Sequence, residues 1–409
     1  MSLFMKVAII SKSNRNSGGA SRVAQDLATW LNEIGYVADH FVAVGNTNSV
    51  PFQKDLYGHG LAKKINQKTH YLTNKLGFNE FFPVEYWFNL AYQLKNYDVF
   101  HFHDLYSAIS PLTLALTAKK KPTFFTVHDC SVFTGGCLYP SGCEKFISHC
   151  HNCPQLPQNR WQDRIRDRTK EVQSIKRWLS KNNMIRYIFP SQWIANQAEL
   201  SLSYKVPPVI IPNGIDPESC PILNRNEAKR ILSIAEHRKV VTISANYLAA
   251  PHKGVKYAIE ALQSCRDLAP VVLAVGHCND EIRSALQGLE VLEMGFISNP
   301  EAMSKIYAAS DIMLFCSLAD NLPLTVLEAM LSFTVIVGFS TGGVPEMIQS
   351  GQNGFLVEPT NQEALNNALR QALLSPILDR IAQQARQDVE HKFSKQLFLE
   401  RHIALYQGT

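Results

Sequence analysis

Two carboxylates, Asp320 and Glu328, frame the segment of the chain that is richest in chemistry, Ser317 to Met330. The segment follows an apolar run, Ile312 to Phe315, and its Pro323 suits the first turn of a helix. Asp320 then sits just before that helix. Glu328 lies about two turns inside it, between the apolar Leu327, Ala329 and Met330. A carboxylate in such surroundings is expensive unless something pairs with it. A vicinal diol such as a ribose, whose two hydroxyls can both donate to one carboxylate, is such a partner. The bland alternative is a capping aspartate followed by a surface glutamate.

The other polar residues that invite chemistry sit at the ends of apolar runs. His252-Lys253-Gly254 opens a helix after the run 239–244. The helix macrodipole disfavours a cation there, so Lys253 makes sense if an anion, such as a diphosphate, occupies the site. In the first half, Gly18-Gly19 stands between a strand and a helix, where backbone N–H groups can approach an anion. A plain tight turn would use the same pair. Two further strands run into His101-Phe102-His103-Asp104 and His128-Asp129. Carboxyl ends of strands line the ligand crevice of open α/β sheets, and a histidine there can donate to a sugar hydroxyl or polarise one. His128 and Asp129, with Asp320, are the candidate catalytic residues. His101 and His103 either join them or merely cap the sheet. Neither the G-x-G-x-x-G dinucleotide fingerprint nor a Walker motif is present, so redox and ATPase readings lose their main support.

Cys137, Cys143, Cys150 and Cys153 fall within one loop-like stretch at spacings x5, x6 and x2. The x2 pair suits zinc, but the x5 gap is longer than usual. A structural zinc, disulfides and free thiols all stay open, with His149 and His151 as substitute ligands. Four sulfurs would leave a zinc no open position, which argues against a catalytic metal. The other five cysteines are scattered and read as reduced, buried thiols.

The elements that must position these residues alternate. Short apolar runs and helix-length amphipathic segments follow one another, which predicts α/β architecture with parallel sheets. Strands are expected at 6–10, 37–43, 98–102, 123–128 and 185–189, with helices near 20–34, 106–119, 160–181 and 191–201. A second series has strands at 239–244, 271–275, 291–294, 312–315, 334–338 and 355–357. Its helices are expected at 255–265, 300–309, 323–332, 344–349 and 361–373, followed by a helical, polar tail from about 376. The Pro-rich run from Val206 to Pro217 separates the series. Domains are therefore expected at 1–207 and 208–389, with the helix 390–409 packing back on the first. Residues 52–97, rich in aromatics and lysines, break the alternation as an insertion. They read either as ordinary core or as an acceptor-side or membrane-facing surface.

The 409 residues exceed what one core usually supports, in line with two domains. Charged residues make up 18% and apolar ones 46%, ordinary values for a soluble protein. No apolar run is long enough to span a bilayer, and no secretory signal is recognised, so a cytoplasmic protein is expected. From Arg160 to Lys181, eight Lys or Arg face three acids, and that balance of +5 equals the formal net charge of the whole chain. Such localisation is unlike a general nucleic-acid binder. A basic amphipathic helix can instead lie on an anionic membrane, so peripheral contact with the inner membrane face through 160–181 is expected; a domain helix with a solvated charged face is the alternative.

Taken together, the segment around Asp320 and Glu328 resembles the E-x7-E signature of glycosyltransferase family 4, with Asp320 in place of the first glutamate. Gly18-Gly19-Ala20-Ser21-Arg22-Val23, Val127-His128-Asp129, Pro212-Asn213-Gly214-Ile215-Asp216, Lys253-Gly254, Gly342-Gly343 with Glu346, and Gly354-Phe355-Leu356-Val357 follow the same family's order and spacing over roughly residues 5–400. The stretch from Thr134 through Leu156 is similar to a subgroup that builds bacterial exopolysaccharide, colanic acid and O-antigen. The resemblance implies a GT-B fold, with two Rossmann-like domains of parallel sheets facing an interdomain cleft. It implies transfer of a sugar from a UDP- or GDP-sugar to a glycan or lipid-linked glycan, with retained anomeric configuration and no metal cofactor. The chain has no Asp-x-Asp element to carry one. By the resemblance Glu328 holds the ribose, Asp320 with the Asn321 and Leu322 amides holds the sugar, Lys253 neutralises the diphosphate and His128 faces the transferred sugar. Gly18, Gly19, Gly342 and Gly343 join the donor site. One departure stands out: the family's arginine some six residues before Lys-Gly is missing from Ser244-Ala245-Asn246-Tyr247. His252, Arg15 or Arg22 are candidates to replace it. Two other readings are an epimerase or other enzyme on the same fold, and a non-catalytic docking module built on the cysteine loop and basic helix.

Overall fold

The computed structural model describes residues 5–15, 18–45, 50–78, 81–156 and 167–408. The chain forms two compact units, Met1–Pro212 with Leu399–Thr409, and Asn213–Phe398. Each is a wholly parallel sheet with helices between its strands.

Unit 1 contains β1 (Lys6–Ser11), α1 (Gly19–Glu33), β2 (Val37–Val42), β3 (Gln53–Asp55), α2 (Gly60–Lys75), β4 (Val99–Phe102), α3 (Pro111–Ala118), β5 (Thr123–Thr126), α4 (Thr169–Asn182), β6 (Ile185–Phe189), α5 (Gln192–Glu199) and β7 (Val209–Ile210). The strands lie in the order β3-β2-β1-β4-β5-β6-β7. The central strands β1, β4 and β5, buried almost throughout, read as largely apolar runs, as parallel strands do. Phe100, Phe102, Phe125, Tyr187 and Phe189 fill the core. Helix starts are locally encoded. Ser110 caps α3 by accepting from the Leu112 amide at 3.2 Å, with Pro111 at the first helical position, and Ser191 caps α5 through the Ile194 amide.

Unit 2 contains α6 (Arg225–Ile231), β8 (Val240–Tyr247), α7 (Val255–Ser264), β9 (Val271–His277), α8 (Asp280–Ala285), β10 (Glu290–Gly295), α9 (Pro300–Ala309), β11 (Ile312–Phe315), α10 (Leu324–Leu331), β12 (Val335–Phe339), α11 (Val344–Met347), β13 (Gly354–Val357), α12 (Gln362–Leu374) and α13 (Leu378–Lys392). The sheet order is β10-β9-β8-β11-β12-β13. A buried ion pair braces its lower end. Asp311 accepts from Lys229 Nζ at 3.0 Å and from the Val240 amide at 2.9 Å, with both side chains almost fully buried. The last helix, α14 (Lys395–Gln407), begins in unit 2 and ends in unit 1. At its start the Lys395 amide donates to Ile215 O at 2.9 Å and Lys395 Nζ pairs with Asp216 at 3.0 Å. Gly214 is glycine because a Cβ there would stand 2.5 Å from Phe398 Cβ.

Both sheets reverse their strand order once, at β1/β4 in unit 1 and at β8/β11 in unit 2. Such a switch point is where ligands bind in open α/β sheets. Several elements were not expected from the sequence. The strands β3 and β7 are too short to make an apolar run. Helix α2 buries the polar Asn66, His70 and Thr73, so its inner face carries no apolar period. Helix α6 is seven residues and α8 six, too short to show a repeat. Of the expected helix 160–181, the described part begins at Thr169, and residues 160–166 lie outside the described residues.

Candidate functional site

In unit 2 the candidate residues gather at the switch point. The loop after β8 carries His252 and Lys253, and the loop after β11 carries Ser317 to Leu322. Lys253 Nζ meets Asp320 Oδ2 at 2.8 Å. Asp320 also accepts from Ser317 Oγ at 3.3 Å, and the Leu318 amide donates to His252 O at 2.8 Å, so the two loops are stitched together. Gly254 makes that approach possible: its φ is 61°, and a Cβ would stand 2.0 Å from Cys316 O. Burial, reinforced by the Lys253 charge, pushes His252 below its ordinary value. That favours the neutral form of the imidazole.

Three further segments frame this pair. Gly342 has φ 61° and a Cβ there would stand 1.7 Å from Asp320 O. The Gly343 amide donates to Asn321 O at 2.9 Å. Gly342 and Gly343 thus hold the Asp320–Asn321 backbone in place. Asn213 Nδ2 donates to Leu322 O at 3.1 Å, while its Oδ1 is buried with no hydrogen-bond partner among the described residues, as is Thr341 Oγ1 in the loop before Gly342. Unmade hydrogen bonds on buried polar atoms are costly, and a polar ligand would remove that cost. Glu328, on α10, is 8% exposed. Its helix neighbours Leu327, Ala329 and Met330 are fully buried. At the outer ends of β8, β9 and β10, Tyr247 stacks on His277 at 5.0 Å and His277 on Phe296 at 5.6 Å, with an interplanar angle of 5° for the second pair. Tyr247 and Phe296 are exposed. Nothing in the sequence signals that these rings stack.

In unit 1 the expected histidines form one buried column. His103 Nδ1 and His128 Nε2 are 3.1 Å apart, with rings stacked at 5.3 Å. The His101 ring lies against His103, with centroids 4.3 Å apart and the planes tilted by 37°. One of its ring nitrogens meets Tyr406 Oη at 2.6 Å and the other Thr126 Oγ1 at 2.7 Å. Tyr406 and His402 arrive on α14, so the chain's end completes the column. His103 Nε2 is buried without a hydrogen-bond partner among the described residues. A buried bare lone pair is tolerated better than a buried unpaired N–H. His103 therefore donates from Nδ1, and His128 accepts at Nε2 and carries its own proton on Nδ1. Burial holds His128 down to about 3 and places His101 and His103 well below the ordinary histidine value. His101, His103 and His128 are thus held in the neutral form. Beside it, burial and the nearby Asp129 raise Asp104 to about 7, against the pull of Lys12. Asp129 is raised by burial too, but it caps the following turn through the Ser131 amide at 2.8 Å.

The remaining candidates are placed as follows. Gly18, with φ 139°, precedes α1, which has no side-chain cap. Arg15 and Arg22, considered as replacements for the missing arginine, both pair with Asp26, at 2.7 and 3.6 Å. All nine cysteines are free. Cys137, Cys143, Cys150 and Cys153 line a single cavity of about 30 Å³ together with Phe146 and His151. Burial raises the Cys137 and Cys150 thiols, favouring the protonated form. Among the described residues no group of three or more His, Cys, Asp or Glu stands ready to hold a metal ion. Helix α4 straps this loop from beneath. Gln173 accepts from the Cys150 amide at 2.8 Å and donates to Phe146 O at 2.6 Å. Lys176 donates to Ser131 O at 2.6 Å, and Arg177 donates to the carbonyls of Phe146, Ile147 and Ser148. Two cations of the segment expected to face a membrane are thus turned onto loop carbonyls. No helix among the described residues is long and apolar enough to cross a membrane.

Two family models match the chain. The one described as Glycosyltransferase Family 4 covers residues 17–219, and the one described as Glycosyl transferases group 1 covers 224–388. The chain belongs to the family 4 glycosyltransferases. Among its relatives is WcaC of Escherichia coli K12, assigned as a glycosyl transferase of colanic acid biosynthesis, 25% identical over 324 residues, or 76% of each chain. Sulfoquinovosyl transferase SQD2 of Arabidopsis thaliana is 30% identical over 168 residues, 39% of this chain; the match spans only 32% of that relative's length. Among solved structures, Anabaena Alr3699/HepE in complex with UDP superposes with a TM-score of 0.68 at 17% identity, covering 99% of this chain and 100% of that one. At that identity the likeness shows the fold, and the fold is GT-B.

Proposed function

We propose that this family 4 member is a retaining transferase that moves a sugar from a UDP- or GDP-sugar to a glycan or lipid-linked glycan during cell-surface polysaccharide synthesis. The observation that carries the reading is the Lys253–Asp320 pair at the unit 2 switch point. A lysine held beside an aspartate at a glycine-hinged loop can exchange partners. When a nucleoside diphosphate arrives, Lys253 turns to its negative charge, and Asp320 is released to accept from sugar hydroxyls. Charge develops on the departing diphosphate as the sugar leaves, and a fixed cation there lowers the barrier. In this reading no metal is required. Glu328 takes the ribose hydroxyls, and the Tyr247–His277–Phe296 stack offers a flat face to the base. Retention follows from the resemblance to the family. UDP in the related Anabaena structure and the colanic acid assignment of WcaC support the donor class and the pathway class.

In unit 1 a neutral His128, its Nε2 fixed by His103, suits contact with an uncharged sugar. A thermal-shift panel of UDP- and GDP-sugars tests the donor, followed by transfer assays. One nucleotide sugar should raise the melting temperature, and Glu328→Ala should abolish that shift while keeping the wild-type fold by circular dichroism. If no nucleoside diphosphate or nucleotide sugar stabilises the protein, the reading is wrong.

A further inference from the structure

Between β3 and β4 unit 1 presents large apolar side chains to solvent. On α2, Leu61 is 74% exposed, Tyr71 58% and Leu72 48%. They share the outer face of the helix with Lys64, Lys68 and Lys75, all exposed. From Gly60 to Lys75 there are four lysines and no acidic residue. The neighbouring helical segment, which includes Tyr86–Leu90, adds Trp87 at 53%, Phe88 at 44% and Tyr92 at 70% exposure.

This exposure is not loose packing. The inner seam of both segments is pinned by buried polar bonds. His70 Nε2 meets Glu85 Oε2 at 3.0 Å, and Glu85 Oε1 accepts from the Ser110 amide at 2.8 Å and Thr113 Oγ1 at 2.5 Å. Asn66 donates to Tyr57 O at 3.0 Å, and Asn89 to Leu56 O at 2.9 Å. A polar inside, anchored by these bonds, with leucine, aromatic and lysine outside inverts the usual amphipathic helix.

The composition of the outer face identifies its partner. Protein interfaces are depleted of lysine at their centres. Water–bilayer interfaces favour tryptophan and tyrosine, and lysines there lay their stems on apolar surface while the ammonium reaches anionic headgroups. We infer that this face docks on the surface of an anionic lipid bilayer. Three cations of the basic segment are engaged elsewhere: Lys176 and Arg177 donate to loop carbonyls, and Arg168 lies over the Phe78 ring at 5.1 Å. The inference stands without the sugar-transfer reading, although a lipid-linked acceptor would be met at the same surface.

The test is co-sedimentation of the full chain with vesicles of phosphatidylcholine alone or with a third phosphatidylglycerol, at low and high salt. Binding should require phosphatidylglycerol and weaken with salt. The triple variant Lys64→Glu/Lys68→Glu/Lys75→Glu should lose affinity by about a hundredfold, from roughly fivefold for each lysine brought near the surface. Leu72→Ser/Trp87→Ser should weaken binding at both salt concentrations. Lys170→Glu/Lys181→Glu on α4 should bind like the wild type. Melting temperatures with and without UDP establish that each variant is folded, and that readout is independent of vesicle binding. The inference is overturned if the wild type ignores anionic vesicles, if the triple variant binds them equally well, or if the α4 variant loses as much.

Discussion

The two switch points are built from opposite materials. In unit 2 the loops after β8 and β11 bring a lysine and an aspartate together within reach of solvent. In unit 1 the strands β4 and β5 end in a column of histidines kept neutral by burial. In the proposed reading the same topology serves a charged ligand in one unit and an uncharged one in the other. The lysine proposed to meet phosphate is partly solvated and paired with a carboxylate. An imidazole that must act as a hydrogen-bonding group at neutral pH is kept uncharged by desolvation.

That contrast can be broken most strongly at Lys253. Lys253→Ala should lower transfer by about 10²- to 10³-fold, the usual cost of removing one transition-state donor, and abolish the UDP-induced thermal shift. Equal activity in the variant would place the anion site elsewhere. Next in size is Asp311→Ala, which leaves Lys229 buried and unpaired and should destabilise unit 2 by about 3–5 kcal/mol, read by urea unfolding. Little change would mean that the pair relaxes into water.

In unit 1, His103→Phe should reduce kcat by about 10- to 100-fold, the typical effect of removing an orienting partner. UDP binding should be unchanged, because the effect belongs to the other unit. His103→Gln, which can still donate a hydrogen bond, should recover part of the loss. A change in UDP affinity would dissolve the distinction between the units.

The smallest expected effect is a pH dependence. Asp104 keeps its proton in the folded state up to about 7, whereas an unfolded carboxyl loses it near its ordinary value. Its contribution to stability is therefore fully present at low pH and lost as pH rises toward 7. The histidine column acts in the opposite sense, since unfolded histidines take up protons below about 6.5 and the buried ones do not. The melting temperature of Asp104→Asn relative to wild type should rise from pH 5 to pH 8. A constant difference would show that Asp104 is ionised throughout.

Much of the architecture was legible locally. Short apolar runs such as Ile312–Phe315, set between helix-length segments, read as buried strands, and Ser110-Pro111 and Ser191 announce helix starts through their own side chains. Helix α2 escaped notice because its buried positions are asparagine, histidine and threonine, whose burial depends on partners such as Glu85 and Tyr57 that no periodicity reveals.

By itself the sequence determined the alternation of strands and helices, the two parallel sheets and the family, because backbone propensity, apolar period and motif spacing act over short stretches. Only the tertiary structure decided which distant groups meet. Lys253 finds Asp320, His103 finds His128, and Tyr406 closes on His101 from the far end of the chain. It also turned Lys176 and Arg177 onto loop carbonyls and left Lys64, Lys68 and Lys75 of α2 outside. Charge and exposure are properties of an environment, and that environment is assembled from residues that the sequence keeps far apart.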